Sequence, residues 1–314
     1  MSVRGWGGPI ATAIGGAVVV GAAQLGLGYG LGIIGWRGDA AGWSAALAWT
    51  MWVSAFAVFA GALAGQRSLN RHSSSLPDDD STVLGRVLWR ITLAVAAALG
   101  GLAVVPLTAL PARTVPTSAT SAPAFIVGWH AAAGVVIGLV LAIIALNSRA
   151  IATNLIATGA WWALIALVAV IDAAAGGRGL VPAQLSAWRF TGHGVETIRG
   201  SFSALQVPGD VWWESLYLPG AGLILGAALL IGAFSALAAA RSGDGWIGVA
   251  LSGAAGPALL ALVFIIVSPT LTEAPTEQVT ALLIAPYAVV AGLVGSVAMA
   301  ILADRPRRPA PRHA

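Results

Sequence analysis

Four polar side chains sit inside long apolar runs of this chain: Gln24, His130, Asn154 and Asp172. A group that can ionise is expensive to bury in a membrane, so it is read first as a candidate for function. A histidine and a carboxylate within reach of each other can relay a proton or hold a polar substrate. At ~1.5 Å per helical residue, His130 stands about 10 Å below the start of its run near Pro123, and Asp172 about 6 Å below the end of the next run near Gly176. The two runs are consecutive and joined by a short turn, so both residues fall in the outer half of the membrane. His130 and Asp172, joined by Gln24 nearer mid-membrane, form the candidate polar site. Plainer roles stand beside this one: Asp172 also fits an interfacial carboxylate near Arg178, and Gln24 a single interhelical hydrogen bond.

Other chemistries find few residues to carry them. The chain has no cysteine, and all 16 of its Lys and Arg positions are arginine. Thiolate metal sites, disulfides, cysteine nucleophiles and lysine-based catalysis are therefore excluded. HExxH, GxxxxGK[ST] and GxSxG are missing. "ALSGAAG" in the seventh apolar run has a serine followed by glycine, but residue 250, two before that serine, is alanine. "SGDG" at 242–245 lies in a turn without an embedded partner aspartate, and the loop holding Asp39 is too short for the fold of a lipid-linked glycosyltransferase. The acidic run in "DDDST" reads as a solvated start of a helix, with Ser81 or Thr82 as its N-cap. No enzymatic activity, metal or cofactor is expected, and arginine at membrane boundaries is no argument for nucleic acid.

The elements that must position these residues follow from composition. The 314 residues are 58% apolar and 9% charged, whereas soluble domains carry roughly 25% charge. Segments of about 20 apolar residues cross a bilayer. Eight qualify: approximately 9–34, 43–65, 84–110, 124–146, 153–175, 215–240, 246–268 and 279–303. The first is too long for the apolar core of a signal peptide and reads as a retained helix. The expected fold is an all-α polytopic transmembrane bundle over 1–303, with a short outer cap at 176–214 and a basic, disordered cytoplasmic tail at 304–314. In the cap, Leu185, Trp188, Trp212 and Trp213 suit the headgroup region. The loop at 66–82 is polar and expected to be mobile. Four helix ends, "AGQR", "LNSR", "AAAR" and "LADR", fit four helical hairpins in series, a pattern that stop-transfer arginines produce without any duplication.

Small residues four apart let helix backbones approach, which is what holds helices together in lipid. Such pairs are Gly26/Gly30, Gly28/Gly32, Gly61/Gly65, Gly134/Gly138 and Gly222/Gly226, with stripes at Gly248, Ser252, Gly256 and at Ala288, Gly292, Ser296, Ala300. They predict a compact bundle embedded in the lipid bilayer, with a face left for another membrane protein. Pro106, Pro257 and Pro286 lie within spanning segments and are candidates for kinks.

At "AAQLGLGYGLGII" (22–34), "LLIGA" (229–233) and "APYAVVAGLVGSV" (285–297) the chain resembles a group of uncharacterised polytopic membrane proteins of actinobacteria. The resemblance implies a bacterial plasma membrane and carries over no site residues. The expected function is that of a small-solute or proton-coupled transporter. The alternatives are a non-catalytic scaffold or regulatory subunit and, more remotely, a lipid-processing membrane enzyme. With the N-terminus inside, 11 arginines face the cytoplasm and 5 face out, so the positive-inside rule puts both termini in the cytoplasm. Reporter fusions at Ser74, Asn147 and Ser242 should score cytoplasmic, and those near Arg113, Thr197 and Thr276 external; one reversed internal site would remove this topology.

Overall fold

The computed structural model describes residues 7–36, 39–73, 83–115, 122–177, 179, 183–186, 216–242, 244–268 and 276–303. Helix α1 spans Gly7–Gly30, α2 Ala40–Ser73, α3 Val83–Gly101, α4 Val104–Ala112, α5 Pro123–Ala145 and α6 Arg149–Ala175. Helix α7 spans Leu218–Arg241, α8 Trp246–Leu251, α9 Ala255–Val267 and α10 Thr276–Ala303, with a 3-10 turn at Ser252–Ala254 joining α8 to α9. The described residues hold no strand. Among the described residues eight stretches are long and apolar enough to cross a membrane, with α3 and α4 together making the third and α8 to α9 the seventh. This is an all-α, eight-span bundle.

The expected bounds hold to within a few residues except after the second span. There α2 continues to Ser73, so the first part of the 66–82 loop is helical. The Gln66 amide donates to Asn70 Oδ1 at 3.0 Å one turn on, giving the polar extension a bond of its own. The expectations for the acidic run, the Ser81 or Thr82 cap, Trp188, Trp212 and Trp213, and the tail at 304–314 fall outside the described residues. Asp39 has a structural role: its carboxylate accepts the Gly42 N–H at 3.0 Å, capping the open donors at the start of α2. The described part of the cap is fastened to α2, whose Trp49 indole N–H donates to the Ala183 carbonyl at 2.8 Å.

The spans fall into two four-span halves with one neighbour scheme. In the first half α2 packs on α1, on α5 and on the α3–α4 span, and that span packs on α1 and α5. In the second half α7 packs on α6, on α10 and on the α8–α9 span, and that span packs on α6 and α10. In neither half do the first and last spans share a comparable interface. Because four is an even number, both halves begin on the same side of the membrane. They meet where α2 packs on α9 and α5 touches α6. Phe56 of α2 lies against Gly159 of α6, where a Cβ would overlap its ring. Helix α2 is the centre of the whole: 83% of its apolar window is buried, against no more than 56% in any other span. Exposed large apolar side chains such as Val19, Phe125, Phe234 and Ile247 lie on the other spans and none on α2.

Glycine sets the closeness of the packing, though only at some of the expected pairs. A Cβ on Gly61 would lie 2.6 Å from the Ala13 carbonyl oxygen of α1, and one on Gly138 would lie 2.6 Å from the Ala55 carbonyl oxygen of α2. At Gly292 a Cβ would overlap the backbone of Gly253, and at Gly295 that of Leu229. Gly26, Gly30, Gly222 and Gly226 meet nothing within 4 Å.

Two of the three prolines explain the two broken spans. A proline has no N–H and its ring crowds the carbonyl four residues before it. That residue is Leu102 for Pro106, in the link between α3 and α4, and Gly253 for Pro257, in the 3-10 turn. Pro286 is carried inside α10 without a break.

The close contacts predict unequal costs for adding one methyl group. Gly138→Ala forces α5 off α2 and should destabilise by about 1–3 kcal/mol, the usual cost of overpacking. Gly226→Ala faces open space and should change stability by no more than ~0.5 kcal/mol. Unfolding of the purified protein in mixed micelles compares them, and equal effects would contradict this packing.

Candidate functional site

A bonded network of buried polar groups lies in the second half, at the broken seventh span. Helix α6 starts at Arg149, and Asn154, Thr158 and Trp162 follow at one-turn intervals along one face. At ~1.5 Å per residue they stand about 8, 14 and 20 Å along an axis of roughly 40 Å, so Thr158 and Trp162 lie deep in the membrane. All three are buried.

Asn154 bonds the break directly. In an unbroken helix the Gly256 N–H would reach the Ser252 carbonyl, but in the 3-10 turn that carbonyl is taken by the Ala255 N–H. The freed Gly256 N–H donates instead to Asn154 Oδ1 at 2.9 Å. Asn154 Nδ2 donates in turn to Ser235 Oγ on α7 at 3.4 Å, and Ser235 donates to the Ile231 carbonyl at 2.7 Å. From the other side, Ser296 of α10 donates to the Ala250 carbonyl at 2.5 Å. One neutral amide thus ties α6, α7 and α9 together, and one hydroxyl ties α10 to α8.

Beside this network lies a small cavity of about 10 Å³. All four spans of the second half contribute to its wall: Thr158 and Trp162 from α6, Ile224 and Ile231 among others from α7, Pro257 from α9 and Ala288 from α10. The Thr158 hydroxyl and the Trp162 indole N–H are buried and make no hydrogen bond. Four other threonines in helices, Thr12, Thr92, Thr108 and Thr153, turn the hydroxyl back to the carbonyl four residues before, at 2.9 Å. Thr158 does not, although the Asn154 carbonyl is one turn away.

The residues singled out from the sequence are placed apart from this network. His130 is buried on α5 in the first half, and its Nδ1 lies 2.7 Å from the Ile126 carbonyl oxygen on the same helix. No hydrogen bond or ion pair joins it to Asp172, which is half-buried near the end of α6. Gln24 is half-buried on α1, and no hydrogen bond reaches its side chain among the described residues. The polar site of the second half is built on Asn154, one of the four embedded polar residues, together with Thr158, Trp162 and Ser235. An amide and a hydroxyl one turn apart on α6, opposite a Gly–Pro pair in a later span, are the sequence signal for it. Among the described residues no group of three His, Asp or Glu side chains is placed to hold a metal. Comparison with family models, with curated proteins and with solved structures finds no match to this chain.

Because Asn154 satisfies a backbone donor that has no other partner, its removal should be costly. Asn154→Leu should lose about 1–3 kcal/mol, the penalty for a buried donor left open. Asn154→Asp keeps an acceptor for Gly256 and, protonated, should recover part of that loss. Unfolding midpoints in detergent across the three proteins check this, and a leucine variant as stable as the parent would show that the N–H has another partner.

Proposed function

We propose that this multi-pass membrane protein is a transporter for a small neutral solute, with the second four-span half as its path and the broken seventh span as its moving part. The observation that supports this reading is the helix break whose freed backbone donor is held by one neutral side chain, Asn154. Non-helical backbone at membrane depth is tolerated where it is buried in protein or lines a cavity, and discontinuous helices form the substrate sites of many transporters. The bond of this break to Asn154 can be exchanged for one to a solute. The wall of the adjoining cavity carries no ionisable side chain, so a charged cargo would cross without compensation. The arginine asymmetry supports both termini in the cytoplasm, and the resemblance at 22–34, 229–233 and 285–297 supports a bacterial plasma membrane.

A second reading, a scaffold or regulatory subunit, is favoured by the glycine faces at Gly26/Gly30 and Gly222/Gly226, which no helix among the described residues covers. A helix of another membrane protein could approach there as closely as α5 approaches α2.

Reconstitution separates the two. Liposomes containing the purified protein should pass a small neutral solute such as urea or glycerol faster than empty liposomes under an osmotic step, read by stopped-flow light scattering. Asn154→Leu should slow that passage severalfold. Rates equal to those of empty liposomes for every solute, with protons followed by an internal dye, would overturn the transport reading. Isolation of the protein in a stable complex whose assembly fails on Gly226→Leu would establish the second.

A further inference from the structure

We infer that the arginine-rich end of the seam between α3 and α5 binds one anionic glycerophospholipid, with its phosphate on Arg86 and Arg90 beside Arg149 and its acyl chains along the apolar sides of the two helices. This inference goes beyond the transport reading and needs neither Asn154 nor the broken seventh span.

The first observation is unbalanced charge. Helices α1 to α5 carry no Asp or Glu, and the chain has none from Val83 to Ile171. Yet α3 begins with Arg86 and Arg90, one turn apart and so on one face. At ~1.5 Å per residue they stand about 3 and 9 Å inside the span that starts at Leu84, a depth of lipid headgroups. Arg149 opens the fifth span on the same side of the membrane. Among the described residues no ion pair reaches Arg86, Arg90 or Arg149. Arg90 is half-buried, and its one described bond is donated by Nη1 to Asn147 Oδ1, in the turn between α5 and α6. A guanidinium has five N–H donors, and a neutral amide oxygen takes up one of them without balancing the charge.

The second observation is where that bond lies. Helices α3 and α5 touch where a Cβ on Gly101 would lie 3.6 Å from the Val135 side chain, and Arg90 with Asn147 closes the other end of the same seam. Exposed apolar side chains follow within a few turns on both helices: Leu88, Ile91 and Val95 on α3, Val140 and Ile144 on α5. Charge complementarity then selects the occupant. The paired oxygens of a phosphate match the fork of a guanidinium. A zwitterionic headgroup brings a cation of its own, which these arginines repel. A phosphate without acyl chains gains nothing from the apolar sides. An anionic lipid meets both conditions, and basic pockets between spans at the cytoplasmic side are places where such headgroups bind. On the orientation that the arginine asymmetry supports, the lipid belongs to the inner leaflet.

The test is native mass spectrometry of the full chain in detergent, with phosphatidylglycerol and phosphatidylcholine of equal chain length added together. The unmutated protein should retain one phosphatidylglycerol in clear preference to phosphatidylcholine. A basic residue near the headgroups is worth about fivefold in affinity for an anionic lipid. Arg86→Gln, at an exposed position, should weaken retention by about that factor, and Arg90→Gln by at least as much. Arg241→Gln, at the end of α7 on the same side of the membrane, should leave it unchanged. If Arg90→Gln fails to fold, Arg86→Gln and Arg149→Gln carry the test. Equal retention of the two lipids by the unmutated protein overturns the site, and so does an equal loss in Arg241→Gln, which would mean attraction to the whole basic surface. The nearest carboxylates before α3, Asp78 to Asp80, lie outside the described residues; their holding the arginines in place of a lipid would show as an unmutated protein without preference, and would overturn the site in the same way.

Discussion

A backbone N–H left open inside a hydrocarbon layer has no water to turn to, and the seventh span holds its shape because Asn154 bonds the one that its own helix releases. Much of the second half is arranged around that bond. It requires α6 to lie beside the break, Gly256 to lack a side chain where Thr158 sits, and Ser235 of α7 to complete the amide. The break in the third span needs no such help. There the chain tightens for a few residues, with Ala103 donating to Gly100 and Val105 to Leu102 at 3.1 Å, so the backbone satisfies itself. Two prolines with the same local effect thus give one self-contained kink and one junction held by a neighbouring helix.

Around that junction the helices approach as closely as backbones allow. In lipid the apolar side chains of two helices gain little by meeting each other, so van der Waals contact at small residues must hold them. Gly253 and Gly292 bring the 3-10 turn against α10, while Gly134 and Gly138 bring α5 against α2.

His130 and Asn154 are used differently. His130, in the first half, is answered by a carbonyl of its own helix, which fixes its ring and links it to no other span. Asn154, in the second half, reaches two other spans. A neutral amide gives both a donor and an acceptor without the desolvation cost of a charge, which suits a position that holds a broken helix together.

The sequence by itself determined the number of spans, their bounds to within a few residues, and three candidate bends, of which Pro106 and Pro257 lie at breaks and Pro286 does not. These depend on local quantities: the length of an apolar run against the thickness of a bilayer, and the missing N–H of Pro106 and Pro257. The extension of α2 to Ser73 was hidden because a polar stretch reads as loop until a bond such as that of Gln66 to Asn70 is seen. Which embedded polar residue bonds from one span to another was decided by the tertiary structure. Ionisable groups draw the eye to His130 and Asp172, because charge is the costliest thing to bury. The need that Asn154 meets, however, is a backbone donor 102 residues further along the chain. The glycine pairs were decided in the same way. Gly61/Gly65 and Gly222/Gly226 have the same spacing, yet only the first pair meets a helix. Spacing along one helix fixes which face is small, whereas contact depends on a second helix whose position no local pattern records.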